Sequence, residues 1–125
     1  MSRDISVSAE YIWPSSTGLH DWVVERLRER VPDPAVWAYA DKAGFEVLHD
    51  FRVSDLPEPG RHAVLAVLAE EIPQAYGAWA RGRLSLSEGQ IMGLVHELEI
   101  LAMMAVEVRR ELDEGDGDGD EGGGA

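Results

Sequence analysis

The sequence predicts an α+β domain that is mostly helical, with four to five helices, a short two-stranded element and a disordered acidic C-terminal tail. Three observations predict it. Apolar residues recur at helical spacing in several stretches between Leu19 and Leu112. Two shorter segments alternate with period two, as half-buried strands do. The last thirteen residues, Asp113–Ala125, carry six acids and no base, with no large apolar side chain to bury. The expected organisation is one globular unit over 1–112 and a disordered tail over 113–125.

The first alternating segment is 4–13, where Ile5, Val7, Ala9, Tyr11 and Trp13 share one side. Pro14 and the run Ser15–Gly18 are expected to end it. Leu19–Val31 then reads as a helix, with Leu19, Trp22, Val23 and Leu27 on one face and Thr17 as its N-cap. Pro32 ends it. Asp33 and Pro34 suit the N-cap and first turn of a second helix over 34–43, closed by Gly44. Phe45–Val53 alternates again and is read as a strand that pairs with the first, with a helix as the runner-up because the window is short and its alternate face also holds Leu48.

After the loop Leu56–Gly60, a helix is expected from Arg61 to Glu71. Pro73 kinks or splits it, and Gln74–Arg81 continues as helix. The final helix, 87–112, opens on Ser87-Glu88-Gly89-Gln90. In such a capping box the serine oxygen accepts the third amide and the glutamine reaches back to the serine amide. Its apolar stripe includes Ile91, Leu94, Leu98, Leu101, Ala105 and Val108. A second set, Met92, Ile100, Met103, Met104 and Val106, makes the apolar surface wider than one core face requires.

Composition narrows the function. There are no cysteines, which excludes disulfides, thiolate metal sites and cysteine nucleophiles and fits a reducing, cytoplasmic setting. Met1–Glu10 is polar and has no apolar segment typical of a secretory signal. The longest apolar runs, Ala63–Ala69 and Ile100–Val106, are seven residues each. A membrane span needs roughly 20. The net charge is −13, and residues 1–112 alone hold 18 acids against 11 bases. Such a surface repels phosphate, so neither nucleic acid nor an anionic membrane is an expected partner. A basic protein is.

No motif converges on chemistry. The histidines His20, His49, His62 and His96 show no metal-ligand spacing. A site built from His49, His62, His96 and Glu97 or Glu99 would have to assemble from dispersed positions, and surface or core-edge histidines are the commoner outcome. Glu70-Glu71 and Glu97/Glu99 read first as wet helix faces, although burial beside the apolar last helix would raise a carboxylate pKa. No phosphate-binding glycine loop or nucleophile elbow is present. Asp116-Gly-Asp118-Gly-Asp120 begins like a calcium loop, but Glu121 stands where that loop requires glycine. No metal or cofactor is expected.

The expected function is therefore a non-catalytic acidic protein-binding module, immunity-like or inhibitor-like, that neutralises or regulates a basic protein. Bacterial immunity proteins against nuclease toxins share this general character, by analogy of class alone. Contacts are expected on Asp50, Asp55, Glu58, Glu70 and Glu71, with Trp79 as an aromatic anchor. The four tryptophans, Trp13, Trp22, Trp37 and Trp79, equally suit a core. The alternative is a self-associating structural or scaffold protein, a homodimer joined along helix 87–112 by Met92, Met103 and Met104. An enzyme with a dispersed His/Glu site is the third reading.

Overall fold

The computed structural model describes the backbone of residues 3–15, 17–42, 50–83 and 85–124, with side chains over 4–14, 18–40, 51–83 and 85–114. Five α-helices, a small three-stranded sheet and one 3₁₀ turn make up the described elements.

The sheet is built from β1 (Arg3–Ser6), β2 (Ile12–Ser15) and β3 (Asp50–Arg52), in the order β2-β1-β3. The first alternating segment is thus a hairpin and not one strand. Its reversal is held at Ser8, whose hydroxyl accepts the amides of Glu10 and Tyr11 at 3.2 Å each. The Val7 amide meets the Tyr11 carbonyl at 2.9 Å. Such a serine turn competes directly with continued extension. Pro14, expected to break the strand, lies inside β2. That strand is at the sheet edge, where a missing amide is tolerated. The second alternating segment pairs with the first, as expected, through β3; the pairing is parallel, and Val53, expected in the strand, begins a 3₁₀ turn. Residues 45–49 of that segment, Gly44 and the Thr17 side chain lie outside those described.

The pairings place Trp13 opposite Ile5 and Ile5 opposite Phe51. All three are buried, so this cross-strand row is the core face of the sheet. The Trp13 indole N–H then donates to the Glu97 carbonyl at 2.9 Å, tying the sheet to the last helix.

The helices are α1 (Thr17–Arg30), α2 (Pro34–Lys42), α3 (Gly60–Glu70), α4 (Ile72–Arg83) and α5 (Glu88–Gly124). Side chains of the acidic glycine-rich segment beyond Glu114 lie outside those described. Asp33 caps α2 by accepting the Ala35 amide at 3.0 Å. The corner between α1 and α2 is closed by Trp37, whose indole donates to the Val31 carbonyl at 2.8 Å. The Arg28 guanidinium lies over the Trp37 ring, 4.3 Å from its centroid. A single 3₁₀ turn, Val53–Asp55, leads from β3 toward α3.

Pro73 sits in the first turn of α4, and α3 ends just before it, as expected. The two helices form a bent wall along α5. One buried cluster joins all of these elements. It includes Val23 and Leu27 of α1, Val36 of α2, Leu65 and Leu68 of α3, Ile72 of α4, and Leu98 and Leu101 of α5. Trp22, Tyr76 and Trp79 form an aromatic group between α1 and α4, with ring centroids 5.1 to 5.9 Å apart.

The capping box of α5 forms in both directions. The Ser87 amide donates to Gln90 Oε1 at 2.8 Å, and the Gln90 amide donates to Ser87 Oγ at 3.2 Å. Ser87→Ala is expected to lower stability by about 1 kcal/mol. The expected readout is a lower urea midpoint with an unchanged slope. An unchanged midpoint would mean that the start of α5 is frayed in solution.

Candidate functional site

α5 turns two apolar stripes in different directions. Ile91, Leu98, Leu101, Ala105 and Val108 point into the core and are buried. Met92, Met103 and Val106 lie on another face and stay 48%, 70% and 52% exposed. Large apolar side chains held open to water in a row are uncommon on a monomer and mark binding surfaces.

The stripe does not face open solvent alone. The bent wall of α3 and α4 lies beside it, presenting Ala69 and Glu70 from α3 and Pro73, Gln74, Gly77 and Arg81 from α4. With Met92, Val95, Glu99, Ala102, Met103, Val106 and Glu107 of α5 they enclose an open groove of about 700 Å³. The α4 side includes Pro73 and Gly77. A Cβ on Gly77 would lie 3.2 Å from Arg81 Nη1 and 3.4 Å from Val95 Cγ2. The distance to Val95 is ordinary van der Waals contact, and the shorter one is to the flexible end of Arg81 on α4 itself.

The charged groups among these described residues are three acids, Glu70, Glu99 and Glu107, and one base, Arg81. Arg81 is already engaged. Its Nη2 and Nε donate to Glu88 Oε1 at 2.7 and 3.1 Å. That fork holds the Glu88 carboxyl below its ordinary pKa, with the hydrogen bonds from Arg81 as the largest cause. The pair's stabilising contribution is therefore present above the ordinary glutamate range and is lost as pH falls through the lowered folded value. Carboxyl NMR titration is expected to give Glu88 a midpoint below that of an exposed glutamate, restored by Arg81→Gln. An unshifted Glu88 midpoint would show that the fork does not persist in solution.

Arg109 Nη1 lies 3.5 Å from Glu70, and Arg110 pairs with Glu107. Neither arginine lines the groove, so each approaches its carboxylate from outside it.

The residues singled out from the sequence divide among several places. Met92 and Met103 lie in the groove, while Met104 is half-buried and packs on the core. Ile100 does the same. Glu70 joins the groove wall. Glu71, its neighbour, turns to α1 and accepts Arg26 Nη2 and Arg30 Nε at 2.9 Å each. Glu58 accepts hydrogen bonds from Arg61 and His62 within the first turn of α3. Asp55 is exposed at a smaller hollow of about 280 Å³ with Ser8, Ile12 and Arg52. Asp50 is on β3, its side chain outside those described. Trp79 is half-buried against Trp22 and Tyr76. The acids expected to act together are thus not gathered on one surface, and Glu58 and Glu71 are matched by cations of this chain.

Of the candidate chemical residues, His20 is fully buried, with Nε2 3.2 Å from the Asp4 carbonyl. His62 and His96 are exposed, and His49 lies outside the described residues. The Glu97 side chain is exposed, and its carbonyl serves Trp13. Among the described residues no three His, Asp or Glu side chains converge to hold a metal ion. No described helix is long and apolar enough to cross a membrane.

Val95, Val106, Glu99 and Glu107 are the groove residues that the charge-based reading passed over. The signal for Val106 was its place in the surplus apolar set. Nothing local to Pro73 or Gly77 marks them as the facing wall. No protein-family model, no curated protein and no solved structure matches this chain.

Proposed function

We propose that this chain is a non-catalytic protein-binding module that regulates or neutralises a partner by seating part of it in the groove between α4 and α5. The observation that carries the reading is the exposed row Met92, Met103 and Val106, facing a second helical wall. A groove with an apolar floor and a charged rim is the ordinary form of a helix- or loop-binding surface. Flexible methionines suit it to adaptable packing. The chain's charge of −13 supports a basic partner, which it would attract from a distance. The cysteine-free sequence suits a cytoplasmic setting.

The test is capture from native-host extract by the full chain, by a Met103→Ser/Val106→Ser variant and by an Asp55→Asn control. Both substituted groove positions are exposed, so folding stability should change by no more than about 0.5 kcal/mol each. The expected result is one stoichiometric partner held by the wild type and the control and lost by the groove variant. Equal capture by all three would overturn the reading.

The same exposed row supports a second reading, a homodimer or scaffold joined along α5. Sedimentation separates the two. A dimer sealed by apolar contact persists at high salt, whereas an acid-guided complex weakens.

A further inference from the structure

We infer that the groove's occupant is a cationic amphipathic helix supplied by the partner. This rests on the protein-binding reading above and adds the conformation and charge of what is bound.

The conformation follows from the walls. Both sides of the groove are helices, whose mid-segment amides and carbonyls are bonded within their own ladders. They offer an incoming strand no sheet edge. An extended segment laid on Met92, Ala102, Met103 and Val106 would bury backbone groups with no partner. A helix brings its own backbone bonds and presents only side chains. The dimensions agree. Met92 and Val106 are fourteen residues apart on α5. At 1.5 Å per residue the row is about 21 Å long, about four helical turns. A facing helix would meet it with apolar residues at three- and four-residue spacing.

The charge follows from the rim. Glu70 stands on one wall, and Glu99 and Glu107 stand on the other. The lining's one base, Arg81, already holds Glu88 through two hydrogen bonds. Glu70 and Glu107 each already hold an arginine outside the groove, Arg109 and Arg110, so a lysine or arginine flanking an incoming apolar face would share those two carboxylates and would meet Glu99 with less competition. A second copy of this chain fits less well. Glu99 is midway between Met92 and Val106, so a twofold axis at the centre of the row would set Glu99 against its own copy. Each copy would also bring a net charge of −13.

The experiment uses the full chain with methyl-labelled methionine and three synthetic eighteen-residue peptides. One is an amphipathic leucine/lysine helix. The second has the same composition in a scrambled order without an apolar face. The third replaces every lysine with glutamate. The expected result is saturable movement of the Met92 and Met103 methyl signals with the first peptide. Its affinity should exceed that of either other peptide by about tenfold or more. It should fall with added salt, and fall again in Met103→Ser/Val106→Ser, which leaves the charge unchanged.

Equal binding of the scrambled peptide would overturn the helical face, and equal binding of the glutamate peptide would overturn the charge. Concentration-dependent Met103 shifts without peptide, with sedimentation as a dimer, would give the groove to a second copy. These failures are distinct from failure of the protein-binding reading. That reading survives if host-partner capture still depends on Met103 and Val106, and falls if capture ignores them.

Discussion

Trp13→Ala is expected to remove about 3–5 kcal/mol of folding stability, the cost of emptying a large aromatic site in a packed core. Total stabilities of such domains are about 5–15 kcal/mol, so this one change would bring the chain close to unfolding at room temperature. The expectation rests on two separable contributions. The ring completes the buried row Trp13–Ile5–Phe51 across all three strands. Its N–H also bonds to the Glu97 carbonyl, 84 residues away on α5. Trp13→Phe keeps most of the packing and loses the hydrogen bond, worth about 1 kcal/mol. The Glu97 carbonyl is part of a helical ladder, so it is not stranded by that loss. Urea unfolding of both variants, at constant slope, separates the contributions. If Trp13→Ala cost less than about 1 kcal/mol, the sheet would not be anchored on α5 as described.

The helices were legible because their signals are local. Ser87 and Gln90 sit three residues apart and satisfy each other. Asp33 lies beside the amide it caps. Pro73 divides α3 from α4 whatever packs around it. The sheet was only half legible because period two does not distinguish one long strand from a hairpin. Ile5 and Trp13 face the core in either case. What decides between them is the hydroxyl of Ser8, a residue that the alternation treats as an outward polar position. Likewise Pro14 reads as a strand breaker until β2 is known to be an edge.

The candidate site was legible where it lies on one helix. Met92, Met103 and Val106 share a period, and their surplus over one core face was visible as such. The facing wall was not, because it exists only once α3 and α4 fold back along α5. Which acids are free to meet a partner was not legible either. An acid that is conspicuous in sequence says nothing of a cation 41 or 45 residues away, yet Arg26 and Arg30 converge on Glu71 from those distances. Its carboxylate ties the junction of α3 and α4 to α1 and is not freely presented to a partner. Glu70, adjacent in sequence, faces the groove because successive helical residues point about 100° apart.

Gly60→Ala is expected to destabilise the chain, against the usual trend. Alanine in place of glycine within a helix ordinarily stabilises by about 1 kcal/mol. Gly60 is the first residue of α3 and is buried against α2. A Cβ there would lie 2.1 Å from Val36 Cγ2, far inside van der Waals contact. Val36 is fully buried, and its branched side chain has little freedom to turn away. One helix must shift, and overpacking of this kind costs about 1–3 kcal/mol. The shift would also disturb the start of α2, since Asp33, whose Oδ1 caps that helix, places its other oxygen 3.5 Å from the new methyl. Val36→Ala alone should be destabilising through the space it leaves. Together the two substitutions exchange a clash for a filled gap. The double variant should therefore be more stable than the sum of the single losses predicts, by a coupling of about 0.5–3 kcal/mol. Thermal and urea unfolding of the four proteins complete the cycle. A stabilised Gly60→Ala, or strict additivity, would show that α2 and α3 do not meet at Gly60 and Val36 in solution.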